Sequence, residues 1–177
     1  RPGESPERWN LDHPDEVRGI ARMYAEAGAD VVLTNTFGGT RFKLEHFGLA
    51  DRVGEINETA ARLSREAVGP DKIVLASMGP TGKILMMGDV SEAELYEAFK
   101  EQAVALEKGG ADAVTVETMS AVDEAGLAVR AAKENTALTV AVSFTFDTKT
   151  PQGYRTMMGV SPEAMAAAML DAGADVL

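Results

Sequence analysis

Apolar positions along the 177-residue chain switch repeatedly between a helical and an extended period. Pro14 suits a first helical turn after Asp12-His13, and Val17, Ile20, Ala21 and Tyr24 then share one helical face, closed by Gly28. Asp30 to Asn35 is a short β-branched run, a buried strand broken by Gly38-Gly39. The cycle returns with Val53, Ile56, Ala60, Leu63 and Ala67 on a second helix, ended by Gly69-Pro70, and a strand over Lys72–Ser77. Ser91-Glu92-Ala93-Glu94 reads as a capping box opening a helix that runs to Gly109-Gly110. Asp112–Glu117 is a strand, Ala121–Glu134 a helix and Thr139–Phe144 a strand. Ser161-Pro162-Glu163 caps a last helix to Ala172-Gly173, and a final strand starts at Asp175.

Apolar strands alternating with helices predict a parallel sheet buried on both faces. Ala27-Gly28-Ala29-Asp30, Gly109-Gly110-Ala111-Asp112 and Ala172-Gly173-Ala174-Asp175 repeat at helix-to-strand junctions. Glycine permits the left-handed turn that ends a helix, and the small alanine lets helix and strand pack closely. Such near-identical units fit a (β/α)8 barrel better than a doubly wound sheet. Arg1 rather than Met opens the chain, and Asp175-Val176-Leu177 ends it as a strand begins. Residues 1–177 are therefore expected to be one α/β barrel domain truncated at both ends.

Composition narrows the partners. The formal charge of −11 and the lack of a Lys/Arg run argue against nucleic acid or an anionic membrane surface. Runs such as Val31-Val32-Leu33 are too short to span a bilayer. Without a signal peptide at this start, a cytoplasmic location is the expectation. Zero cysteines exclude a disulfide, a thiol nucleophile and a Cys-ligated metal built from these residues.

A parallel α/β fold places its chemistry at the carboxyl ends of the strands. Glu117 ends an otherwise apolar strand, so its carboxylate is expected to face the barrel mouth with Thr118 beside it. A carboxylate there could hold a substrate ammonium group, act as a base, or pair with a neighbouring Lys or Arg. Asn35, Thr36 and Phe37 offer polar groups beside an aromatic ring, or a local turn. Gly79-Pro80-Thr81-Gly82-Lys83 lacks phosphate-loop spacing and reads as a tight turn that admits a ligand to the backbone at Gly79. Ser143 ends a further strand, with no histidine placed to form a triad, and Asp147 reads as a solvated loop residue. His13 and His46 read as cap or surface residues. Met86, Met87, Met157, Met158, Met165 and Met169 read as core and loop packing.

Ala27-Gly28-Ala29-Asp30 through Thr34-Asn35-Thr36-Phe37-Gly38, then Gly79-Pro80-Thr81-Gly82, then Glu117-Thr118-Met119 with Glu124-Ala125, resemble the homocysteine S-methyltransferase family in order and spacing. The resemblance covers nearly the whole chain. It implies a partial (β/α)8 TIM barrel with parallel strands two to six. It also implies methyl transfer onto the homocysteine thiol to give methionine. Glu117 would contact the homocysteine amino group, and the loop at Thr36-Phe37 would line the pocket. Zinc in the intact family is held by three cysteines, one after strand six and a pair after strand eight, none of them in this chain. The methyl donor stays open among a folate, betaine, cobalamin and S-methylmethionine; cobalamin or folate would come with a corrinoid or folate domain or protein. The fragment alone is expected to bind zinc poorly and to be inactive. Two other readings stand beside this one: corrinoid-linked methyl transfer from a methylated amine, and a non-catalytic barrel binding module.

Overall fold

The computed structural model describes residues 3–177; Arg1 and Pro2, the start of the stretch read as a loop, lie outside the described residues. A 3-10 turn over Pro6–Arg8 leads into α1 (Trp9–Asp12) and α2 (Pro14–Glu26), then β1 (Val31–Leu33). After α3 (Arg41–Glu45) come α4 (Val53–Val68), β2 (Ile73–Met78), α5 (Glu92–Lys108) and β3 (Ala113–Met119). The chain continues through α6 (Val122–Asn135), β4 (Thr139–Phe144), the short strands β5 (Thr148–Thr150) and β6 (Gly153–Arg155), and α7 (Pro162–Ala172).

Four strands pair in parallel in the order β1-β2-β3-β4. The helices between them pack side by side in the same order, α4 on α5, α5 on α6 and α6 on α7. A sheet wound in one direction, with its helices on one face, is a sector of a (β/α)8 barrel rather than a doubly wound sheet. The start of a fifth strand is present as a single parallel bridge between Ala141 and Val176.

Val32, Val74, Ala76, Val114, Val116, Val140 and Val142 point to the helices and pack with Ala61, Phe99, Leu106, Val129 and Met169. The opposite face is open. Val31, Leu33 and Ile73 are exposed and Leu75 and Ala141 only half buried. Burial on both faces is thus corrected: among the described residues no helix covers the inner side of the sheet. The same edge leaves Ile20 and Tyr24 exposed while Val17 and Ala21, on the same helical face, are buried.

Local chemistry explains the element ends. Ser91 and Glu94 form the capping box at α5, and the Ser161 hydroxyl accepts from Ala164 N–H at α7. Gly173 ends α7 at φ 98°, in the left-handed region. Two of the three repeated aspartates have a structural task. Asp112 accepts Val74 N–H at 2.8 Å and pairs with Arg65. Asp175 accepts Val140 N–H at 2.8 Å and pairs with Lys133 at 2.9 Å. Each clamps the start of the strand before it in the sheet to the helix layer. The methionine expectation is corrected in part. Met169 is core, whereas Met86, Met87 and Met157 stand exposed on loops at the carboxyl ends of the strands.

Candidate functional site

Glu117 lies at the carboxyl end of β3, where the pairing of β3 with β4 shifts register between Val116 and Met119. Such a bulge re-aims the side chains it carries. Thr118 within it adopts φ 62°, a backbone position that a β-branched residue takes only under constraint. Among the described residues the partner of Glu117 is not a lysine or arginine. The Ser77 hydroxyl donates to its carboxylate. Ser77 faces Thr115 across β2 and β3, so Glu117, two residues on, lies on the same face of the sheet.

Ser77 in turn is held from β1. Its backbone N–H donates to Thr34 Oγ1 at 3.1 Å, and its carbonyl accepts from Thr36 Oγ1 at 2.7 Å. The two threonine hydroxyls meet at 2.5 Å. The paired threonine hydroxyls thus pin the Ser77 backbone, and the separate Ser77 hydroxyl holds the Glu117 carboxylate.

The loop after β1 is fastened from behind. Gln102 of α5 donates to Thr36 carbonyl at 2.8 Å, and Asn57 of α4 donates to Gly39 carbonyl at 2.9 Å. Gly38 N–H donates to Glu7 Oε1 at 2.7 Å. A Cβ at Gly39 would meet Asn57 Oδ1 at 2.3 Å, so only glycine fits. Phe37, half exposed, lies across the turn after β2: Gly79 N–H donates to its carbonyl at 3.0 Å. A Cβ at Gly79 would stand 2.6 Å from the Phe37 ring. The close approach this glycine permits is made by the aromatic ring.

Of the residues singled out from the sequence, the fold gathers Phe37, Gly79, Glu117 and Thr118 at three neighbouring strand ends. Ser143, exposed on β4, stands opposite the bulge. Thr36 is fully buried with its hydroxyl committed to the Ser77 carbonyl, so its contribution to the mouth is the shape of the loop. Asn35 faces away: its amide donates to Pro6 carbonyl at 2.7 Å and to Asn10 Oδ1 at 3.0 Å. Ser77, Thr34, Gln102, Asn57, Glu7 and Glu124 were not singled out as site residues. Their polar character was visible, but their partners are 18 to 66 residues away in the chain.

An apolar groove of about 640 Å3 lies elsewhere, along the β1 edge between Trp9, Ile20, Tyr24, Val31 and Leu33. Among the described residues no group of three or more His, Asp or Glu could hold a metal ion, and the chain has no cysteine. No helix among them is long and apolar enough to cross a membrane.

A family model described as homocysteine S-methyltransferase matches residues 3–177. Methionine synthase of Mycobacterium tuberculosis is 40% identical over 115 residues, covering 62% of this chain and 10% of that protein. Methionine synthase of Mycobacterium leprae is 39% identical over the same length and shares. The chain thus spans about a tenth of the length of these relatives. The metallated homocysteine methyltransferase MmuM of Escherichia coli superposes with a TM-score of 0.77 at 20% identity. That match covers 98% of this chain and 65% of MmuM. The carboxyl transferase domain of Rhizobium etli pyruvate carboxylase matches at a TM-score of 0.59 and 23% identity, covering 92% of this chain and 23% of that one. At these identities the structural likenesses establish the fold, a partial barrel.

Proposed function

The chain belongs to the homocysteine S-methyltransferase family, and from that premise we propose that it carries the amino-acid end of a site that methylates homocysteine to methionine. The carrying observation is Glu117: a carboxylate at a strand end, aimed by a bulge, held by Ser77 and, among the described residues, without a lysine or arginine partner. A carboxylate so placed can accept charge-assisted hydrogen bonds from the substrate ammonium group. Phe37 supplies an apolar wall on one side, and Ser143 and Thr118 supply hydroxyls on the other.

Methyl transfer itself is a displacement. The homocysteine sulfur, as thiolate, forms a bond to the methyl carbon while the bond from that carbon to its donor breaks. The electron pair leaves with the donor. This chain's residues hold the other end of the nucleophile and so set its direction of approach. In the family, zinc lowers the thiol pKa. The residues present here do not fit a zinc site, and the role proposed for this chain is substrate positioning alone. A corrinoid- or folate-bearing domain or protein is the proposed source of the methyl group.

Titrating the protein with L-homocysteine tests the role of Glu117. Glu117→Ala is expected to weaken binding by about tenfold or more, the loss of one charge-assisted contact. Unchanged affinity would remove Glu117 from the site.

A further inference from the structure

The site proposed above leaves a buried carboxylate without a task. Glu124, in the first turn of α6, is only 6% exposed. Its Oε1 accepts both the backbone N–H of Thr81 at 2.8 Å and the Thr81 hydroxyl at 2.6 Å. Thr81 is 2% exposed and lies at the heart of the Gly79-Pro80-Thr81-Gly82 turn. Its hydroxyl also accepts Lys83 N–H at 3.2 Å, which closes the turn on itself. One carboxylate oxygen therefore fixes a segment 43 residues away in the chain.

The two ends of this link both reach the mouth. On the turn side, Gly79 donates to the Phe37 carbonyl and lies under its ring. On the helix side, only Ser120 and Ala121 separate α6 from the end of β3. That short, taut connection leads directly into the bulge that carries Glu117 and Thr118. A movement of the turn relative to α6 would change the separation between the Phe37 wall and the Glu117 carboxylate.

We propose that Glu124 is a positioning residue that locks the turn after β2 to the end of β3 and so sets the distance between Phe37 and Glu117 across the mouth. This rests on the reading of that mouth as the homocysteine site. A neutral amide at 124 could accept the same two bonds, so the role requires an acceptor and not a charge. That distinguishes it from a residue that meets the substrate ammonium group directly.

The test combines two readouts on the protein and its variants Glu124→Gln, Glu124→Ala and Thr81→Val. Hydrogen exchange at the Thr81 amide should accelerate by about tenfold or more in Glu124→Ala and stay near wild type in Glu124→Gln. Affinity for L-homocysteine should follow the same order: weakened about tenfold in Glu124→Ala and within about twofold of wild type in Glu124→Gln. Thr81→Val keeps the backbone N–H donor and loses the hydroxyl, so an intermediate loss is expected even where Glu124→Ala folds too poorly to measure. Equal homocysteine affinity in wild type and Glu124→Ala would overturn the positioning role, as would unchanged Thr81 exchange. A wild-type protein that does not bind homocysteine would instead overturn the reading of the mouth, while the exchange readout still decides the lock.

Discussion

Buried carboxylates do much of the loop-setting at the strand ends. Glu7 holds Gly38 N–H and Glu124 holds Thr81, each fixing a loop that a backbone ladder cannot reach. Burial raises the Glu124 carboxyl above its ordinary value of 4.5; the bonds from Thr81 and the charge of Lys43 oppose this, and Asp123 adds to it. Because the folded-state value is the higher one, this group's contribution to stability is full below the ordinary value and is lost as pH rises through the raised one. Glu124→Gln is neutral throughout. The stability of wild type relative to that variant should therefore fall as pH rises above 4.5, read as urea midpoints at successive pH values. A difference that stays flat or grows with pH would contradict the burial effect. At this scale Glu117 was legible, because a charged residue at the end of an apolar run is conspicuous. Its partner Ser77 was not. That contact depends on the register of β2 against β3, and nothing local to Lys72–Ser77 encodes it. The left-handed backbone at Thr118 was hidden for the opposite reason, since threonine disfavours that conformation.

Elements were most legible where period and punctuation agreed. The capping box at Ser91 and the glycine stop after α7 fall where their residue types require. The five-residue α3 is too short to show a period. The hairpin of β5 and β6 carried a signal in Pro151-Gln152-Gly153, a turn tripeptide between short polar strands whose exposed faces give no apolar alternation. The repeated junction motif shows how one pattern takes different weights in different surroundings. Asp112 accepts from Val74, a fully buried residue, and pairs with Arg65. Asp30 occupies the same place in its motif, yet its side chain is 96% exposed and its ion-pair partner, Lys72, is 3.8 Å away. Asp112→Ala should cost about 1–2 kcal/mol, because it strands a buried strand amide. Asp30→Ala should change stability by less than about 0.5 kcal/mol. Denaturant midpoints of the two variants check the contrast, and equal losses would mean that the motif acts through something other than the strand clamp.

For the whole molecule, the decisive feature is that one sheet face is covered and the other is not. Periodicity could not reveal this, because an apolar barrel interior and an apolar helix-facing side write the same continuous run of residues. The apolar runs predict burial on both sides; helices cover one side, and the inner side carries exposed Val31, Leu33 and Ile73. Adjacent residues of β1 therefore live in different solvents. Val32 is 3% exposed and lies within the principal core, whereas Leu33 is 54% exposed on the open side. Val32→Ala removes buried methyl groups from a packed cluster and should cost about 2 kcal/mol. Leu33→Ala deletes more apolar volume but takes it largely from water, and should cost less than about 1 kcal/mol. Binding of a hydrophobic dye separates the faces further. The Leu33 change trims the exposed apolar edge that runs on through Ile20 and Tyr24, so native-state dye fluorescence should drop. The Val32 change leaves that edge intact and should not lower it. Should Leu33→Ala destabilise as much as Val32→Ala with no loss of dye binding, the inner face would have to be covered in solution.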